Sequence, residues 1–239
     1  MTPAARAVLF DLDGTFVDTA PDMARALNVI RHHHGLAALP LAAIRPHVSH
    51  GARGMLDVGF GINPHDKTFV ALRDAFYDEY QRNLCVESKL FDGVDSLVDT
   101  LEKHNIVWGI VTNKAARFAL PIADALGFAR RAACIVYGDT TAHTKPHPAP
   151  LLHAAALIGV NPAHIIYVGD DERDIQAAHA AGMRGVIAAY GYIAADNDTK
   201  AWGAEFSIAT PSELRSLLCI AVGVNAPNLK ITSPARHRE

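Results

Sequence analysis

Cysteine is scarce in this chain of 239 residues: Cys85, Cys134 and Cys219 are odd in number, lie far apart and contain no CxxC pair. That spacing argues against both a disulfide framework and a zinc site, and the three read as reduced core thiols. Long apolar runs are missing as well. None approaches the roughly 20 residues that span a bilayer. The opening "MTPAARAVLFDLDGT" enters its first strand without a signal-peptide segment, which predicts a cytoplasmic protein with no membrane partner. Nor is there a basic excess. With 22 Lys and Arg against 25 Asp and Glu, the net charge is -3, so nucleic acid is not the expected partner. Internal repeats and low-complexity tracts are absent too. What is present is a chain that is 50% apolar, long enough for one large domain or two small ones, and suited to a small-molecule partner.

Short β-rich apolar runs recur, each followed by turn residues and a helical pattern. They are "AVLF" at Ala7, "IVWGIVT" at Ile106, "ACIVYG" at Ala133, "HIIYVGD" at His164 and "RGVIAAYG" at Arg184, with "AEFSIAT" near Glu205 as an edge strand. The alternation predicts an α/β fold, a parallel sheet with helices on both faces. Unbroken apolar character fits strands buried on both sides. The gap between the first run and the second is too long for one crossover, and its pattern is helical. Met23, Leu27 and Ile30 share one helical face, with Pro21 in the first turn and Gly35 at the end; Phe69, Leu72, Phe76 and Tyr80 line up another. Residues 17–88 are therefore expected to form a helical domain inserted into a core built from 1–16 and 89–222, with 223–239 as a flexible tail.

In an open parallel sheet, ligands bind in the crevice beyond the carboxyl ends of the strands. The first run ends on Asp11 and Asp13, the second on Thr112 and Asn113 in "GIVTNK", and the fourth on Asp170, Asp171 and Asp174 in "YVGDDERD". The third leads through "YGDTTAHTKPHP" to Lys145. Clustered carboxylates repel one another and ask for a hard divalent cation, and oxygen ligands without His or Cys favour Mg²⁺ over zinc. A lysine and a hydroxyl beside that cation would hold a phosphate, because Mg²⁺ and Lys145 together offset the charge of a phosphoryl group approaching an ionised aspartate. On this reading Asp11 attacks phosphorus, while Asp13 protonates the leaving alcohol and later activates water.

"DLDGT", "VTNK", "TKPHPAP" and "VGDDERD", in this order, resemble the four signature motifs of the haloacid dehalogenase-like hydrolase superfamily. The resemblance implies a Rossmann-like core, a covalent aspartyl-phosphate and one Mg²⁺. It implies that Asp11 is nucleophile and metal ligand, and that Asp13 is an acid/base that also gives the metal its backbone carbonyl. Thr112 and Asn113 would take the phosphoryl oxygens, Lys145 would neutralise charge and Asp170 would bind Mg²⁺. Asp174 fits the later acidic position that orients metal waters or Lys145, while the neighbours of Asp171 can supply the metal without it, which leaves its role open. The helical insert resembles the four-helix cap of the phosphatase and mutase branch. Within it, "DTAPD", "VTNK", "KPHPAP" and "RDIQAAHAAGM" are similar to phosphoglycolate phosphatases, and "YGYIAADNDTKAWGAE" is similar to N-acetylmuramic acid 6-phosphate phosphatases. The expected activity is a Mg²⁺-dependent phosphomonoesterase acting on a small phosphorylated metabolite. 2-Phosphoglycolate ranks first, N-acetylmuramic acid 6-phosphate second, and a sugar phosphomutase shares the same nucleophile, acid/base and cap. Phe16 departs from the aliphatic residue usual after "DGT" and sits at the expected hinge, where it would affect cap closure or the pocket edge.

Other stretches carry less. "DLDGTFVDTAPD" fails as a calcium loop, because Phe16 stands where a glycine belongs and Asp22 where a glutamate belongs. The three histidines of "RHHHG" point in different directions at a helix end and do not make a metal site. In "SHGARGML", where the resemblance places the cap's specificity loop, two glycines allow a loop and Arg53 offers a bidentate donor for a substrate carboxylate. His50 is a weaker candidate there.

Overall fold

The structure, a computed structural model, describes residues 5–195 and 197–218. The expected tail at 223–239 and Cys219 lie outside the described residues. The chain opens with β1 (Ala7–Phe10) and β2 (Val17–Asp18), then enters α1 (Ala20–His33), α2 (Leu41–Ile44), a 3-10 turn (Arg45–His50), α3 (Gly51–Phe60) and α4 (Phe69–Arg82). It returns through β3 (Lys89–Leu90) and continues as α5 (Val94–Lys103), β4 (Val107–Val111), α6 (Ala116–Ala125), β5 (Ile135–Val136) and α7 (Ala149–Ile158). The remaining elements are β6 (Ile165–Gly169), α8 (Glu172–Ala180), β7 (Arg184–Ala188), β8 (Phe206–Ile208) and α9 (Leu214–Leu217).

Six strands form one sheet in the order β5-β4-β1-β6-β7-β8, and every neighbouring pair is parallel. This is a Rossmann-like α/β sheet, and each of the six apolar runs supplies one strand. Side chains of β1 alternate between two cores. Val8 and Phe10 pack with Leu97 and Val98 of α5 and Ile122 of α6. Ala7 and Leu9 pack on the other face with Leu151 of α7 and Ala178 of α8. Burial on both faces removes the polar alternation, which is why these strands read as continuous apolar runs. From β1 the chain moves outward to β4 and β5, then crosses back to β6 on the opposite side of β1. That reversal opens a crevice beyond the carboxyl ends of β1, β4 and β6, where Asp11, Thr112 and Asp170 follow their strands directly.

In the helical insert Met23, Leu27 and Ile30 of α1 and Phe69, Phe76 and Tyr80 of α4 are buried together, with Leu72 partly buried against them. Gly35 follows the end of α1 at φ +70°. α2 is a single turn, so three longer helices carry the insert. "SHGARGML" is not a loop: Gly51 opens α3 and Arg53 lies on the helix. Gly54 lets the 3-10 turn pack against α3, since a Cβ there would stand 2.3 Å from the His47 carbonyl oxygen.

Periodicity did not reveal the antiparallel ribbon of β2 and β3, which pairs Val17 with Leu90 and Asp18 with Lys89 where the chain enters and leaves the insert. Two residues per strand are too few for a period-2 pattern. Asp22, fully buried in the first turn of α1, fastens this junction by accepting from the Ser88 hydroxyl at 2.6 Å and from the backbone N–H groups of Glu87 and Ser88. Phe16 corrects an expectation. Its ring is buried among Phe10, Trp108 and Phe128, with centroids 5.1 to 5.5 Å apart, so it packs the sheet core and does not form the pocket edge. His32, His33 and His34 are exposed, the last against Phe60. Cys134 is buried, Cys85 is half-buried, and both are free thiols. No described helix is long and apolar enough to cross a membrane.

Candidate active site

Lys145 is the hub of the crevice. Its Nζ lies 2.7 Å from Asp11 Oδ1, 2.7 Å from Asp174 Oδ1, 2.8 Å from the Tyr167 hydroxyl and 3.1 Å from the Val111 carbonyl oxygen. Burial alone would discharge this ammonium, but Asp11 and Asp174 hold its pKa above the ordinary lysine value. Asn113 fixes the hub from behind. Its Oδ1 accepts from the Lys145 N–H at 2.9 Å and its Nδ2 donates to the Lys145 carbonyl at 3.0 Å. The Asn113 side chain is thus committed to the Lys145 backbone. Asp174 has two attachments. At the start of α8 its Oδ2 accepts from the Asp171 N–H at 3.1 Å while Asp171 accepts from the Arg173 N–H, a reciprocal cap that seats the helix.

Asp11, Asp170 and Asp174 each bring a carboxylate oxygen within 4.8 Å of the others. Burial pushes Asp11 up to about 7, with Lys145 opposing the rise and Asp174 adding to it. Asp170 is raised well above its ordinary value by burial, then by Asp11 and Asp174. Three buried acids under mutual repulsion, with oxygen donors only, fit a hard divalent cation. Asp170 is closely built in: Oδ1 accepts from Thr15 at 2.9 Å, and Oδ2 accepts from the Tyr192 N–H at 2.9 Å and from the Ser49 hydroxyl at 3.1 Å. Gly14, at φ +82°, is required there, because a Cβ would stand 2.2 Å from Asp170 Oδ2. Asp171 is turned away, paired bidentately with Arg173 and 3.7 Å from His50.

Asp13 faces the helical insert. Its Oδ1 accepts from Lys114 Nζ at 2.8 Å and from the Thr19 hydroxyl. Burial opposes charge on Lys114, but Asp13 and then Tyr80 raise its pKa above the ordinary lysine value. Thr112 is buried, and its hydroxyl accepts from the Lys114 N–H at 3.1 Å. Asp11, Asp13, Thr112, Asn113, Lys114 and Lys145 line one cavity of about 180 Å³, roofed by Met23, Phe76, Tyr80 and the 49–52 segment. The insert is closed on the sheet, with Ser49 touching Asp170 and its carbonyl accepting from Arg173 at 2.8 Å. Asp18 continues that closure by pairing bidentately with Arg45, 2.9 and 3.0 Å, and accepting from the Tyr192 hydroxyl at 2.9 Å.

The structure brings Asp11, Asp13, Thr112, Asn113, Lys145, Asp170 and Asp174 together but leaves Arg53 out. Arg53 is exposed and lines a neighbouring cleft of about 590 Å³ with Asn63, Asn197 and Trp202. Sequence reasoning missed Lys114, Ser49, Tyr167 and Tyr192. Lys114 had a signal, the last position of "VTNK" at a strand end. Tyr167, inside an apolar strand run, Tyr192 and Ser49 carried no such signal.

Comparison with known proteins agrees with this fold. The family model described as haloacid dehalogenase-like hydrolase matches residues 8–188. An N-acetylmuramic acid 6-phosphate phosphatase of Pseudomonas putida is 42% identical over 213 residues, covering 89% of this chain and 96% of that protein. A phosphoglycolate phosphatase of Xanthomonas campestris is 46% identical over 209 residues, covering 87% and 94%. The crystal structure of a predicted phosphoglycolate phosphatase from Haemophilus somnus superposes with a TM-score of 0.78 at 25% identity, covering 89% of this chain and 97% of that one. The chain belongs to the haloacid dehalogenase-like hydrolase family and is a phosphoric monoester hydrolase.

Proposed function

We propose that this hydrolase is Mg²⁺-dependent, works through an aspartyl-phosphate on Asp11 and takes 2-phosphoglycolate as its substrate. Asp11 attacks phosphorus as the bond to the leaving oxygen breaks, and Asp13 gives that oxygen a proton, so the alcohol departs. Water then attacks the phosphorus of the acyl phosphate and passes its proton to Asp13, which restores the Asp11 carboxylate and releases phosphate. Lys145 and the Thr112 and Asn113 positions hold the phosphoryl oxygens, and Asp174 keeps Lys145 in place. Asp11, Asp170 and the Asp13 backbone carbonyl would hold Mg²⁺, which supplies positive charge against the phosphoryl oxygens. The division into a core of 1–16 and 89–222 and a helical cap of 17–88 belongs to the same reading, as does a cytoplasmic location.

Cavity size carries the choice of substrate. About 180 Å³, at roughly 10–15 Å³ for each water-sized group, holds about a dozen such groups or slightly more. 2-Phosphoglycolate, with about nine non-hydrogen atoms, suits that space better than N-acetylmuramic acid 6-phosphate, with about 24. A second reading is favoured by the neighbouring cleft of about 590 Å³, in which the amino sugar would find room if the insert lifted at Ser49. The test is phosphate release from a panel of phosphorylated metabolites with Mg²⁺, including these two and a sugar phosphate. Phosphoglycolate should lead. A preference for the amino sugar reverses the ranking, and isomerisation of the sugar phosphate without phosphate release makes the enzyme a mutase. Asp11→Asn should fold and abolish turnover, and residual activity within about tenfold of wild type overturns the nucleophile.

A further inference from the structure

Two lysines line the cavity, and their donors are satisfied very differently. Lys145 Nζ is within hydrogen-bond distance of four oxygens. Lys114 Nζ has one charged partner, Asp13 Oδ1; its other neighbours are the Met23 sulfur at 3.9 Å and Tyr80, whose ring centre lies at 4.9 Å. An ammonium carries three donors, and a thioether and a ring face are weak partners for those that Asp13 leaves over. The side chain is 8% exposed, so bulk water does not complete the set. Tyr80 repeats the pattern. Its hydroxyl is buried and has no acceptor for its O–H; burial pushes its pKa up to about 12 against the opposing Lys114 ammonium beside it, and the group stays a neutral donor. Buried donors without partners are rare in folded proteins, and both of these line the cavity that holds Asp11 and Asp13.

We infer that Lys114 and Tyr80 form the leaving-group subsite and take the carboxylate of a short phosphorylated hydroxy acid whose phosphate lies on Asp11. The inference rests on the phosphatase reading above. Lys114 follows β4 on the sheet, while Tyr80 and Met23 come from the helical insert. A carboxylate received between them bridges the two parts of the site. With Asp13 protonating the leaving oxygen, the next atoms of the leaving group extend toward Lys114, which already touches Asp13. Phe76 and Phe118 close the apolar side of the cavity, and exclusion of water strengthens a charge-assisted pair. The role that Arg53 would have filled from the sequence thus passes to a buried lysine and tyrosine.

The test compares 2-phosphoglycolate with ethylene glycol monophosphate, which keeps the ester and chain length but ends in a hydroxyl. Wild type should prefer the carboxylate by about 10- to 100-fold in kcat/KM. Lys114→Met should erase most of that ratio, chiefly through KM, and Lys114→Arg should recover part of it. Tyr80→Phe, which keeps the ring and its packing, should compress the ratio several-fold. Equal losses on both substrates would show Lys114 acting only through Asp13 and overturn the inference. Wild-type turnover of both esters without preference would overturn it too while leaving the phosphatase reading standing. Failure to hydrolyse any phosphomonoester would remove that reading and the inference with it.

Discussion

Replacing Lys145 with methionine keeps the volume of the side chain and removes the one ammonium that touches both Asp11 and Asp174. Each contact is 2.7 Å long, so at an effective dielectric constant of about 20 each is worth about 6 kcal/mol before desolvation is subtracted. Removing one partner of a buried ion pair typically costs about 3–5 kcal/mol, because the abandoned charge stays buried. For a chain of this size that corresponds to a fall in Tm of about 6–20 °C. The deficit should depend on pH. Asp11 has an ordinary pKa of 3.8 and a folded value of about 7. A raised carboxyl contributes stability that is full below its unfolded value and is lost as the pH climbs through its folded value. Lys145 lowers the folded value, so the variant stays protonated at Asp11 to higher pH than the wild type does. Below about pH 6 the carboxyl is neutral in both, and the deficit attributable to it is small; above about pH 7 the wild type ionises beside its lysine while the variant cannot do so cheaply, and the deficit opens. Thermal unfolding of the two metal-free proteins, followed by circular dichroism at about pH 5.5 and about pH 8.5, measures this directly. A loss below about 1 kcal/mol, or a deficit that does not grow with pH, would refute the reasoning.

Chelation with EDTA should stop hydrolysis and Mg²⁺ should restore it, with Ca²⁺ a poor substitute because its larger, more flexible shell misplaces Asp11; full activity in metal-free buffer contradicts the acid-cluster reading. Phe16→Ala should cost about 3–5 kcal/mol in urea unfolding while leaving KM within about twofold, as befits a core ring. A loss under about 1 kcal/mol would return Phe16 to the pocket edge. Arg53→Ala should leave kcat/KM on 2-phosphoglycolate within about threefold of wild type, since an exposed side chain outside the cavity is worth little. A loss beyond about tenfold would put Arg53 back in the site.

The sheet was legible because parallel strands buried on two faces leave an apolar signature that local sequence cannot hide, and all six appear as runs bounded by turns. The amphipathic faces of α1 and α4 were legible for the same reason, with Met23, Leu27, Ile30, Phe76 and Tyr80 buried where the spacing puts them. Segments whose structure comes from tertiary contact were not. The β2–β3 ribbon is two residues deep and exists because Phe16 is anchored in the core on one side and Asp22 ties α1 to Ser88 on the other. The stretch "SHGARGML" reads as loop because of Gly51 and Gly54, yet it folds as the end of a 3-10 turn and the start of a helix whose close packing needs the glycine at 54.

At the site, strand ends told more than side-chain chemistry did. Asp11, Thr112, Lys145, Asp170 and Asp174 converge because sheet order brings the carboxyl ends of their strands to one crevice, a property of connectivity that the order of the motifs already encodes. Arg53 was chosen for its chemistry alone, and chemistry does not say which way a helix turns its residues: α3 buries Ala52, Met55 and Leu56 and points Arg53 outward. Tyr80 shows the converse. Helical spacing assigned it to the core, and the ring is there, stacked at 6.1 Å on Phe76. Periodicity reports which face is buried and is silent on whether a polar tip on that face has found a partner. In Tyr80 the O–H has no acceptor, and that hydroxyl sits in the cavity that also holds Lys114 and Asp13. A core residue by pattern thereby becomes a recognition residue by its unfilled hydrogen bond, and that distinction requires coordinates.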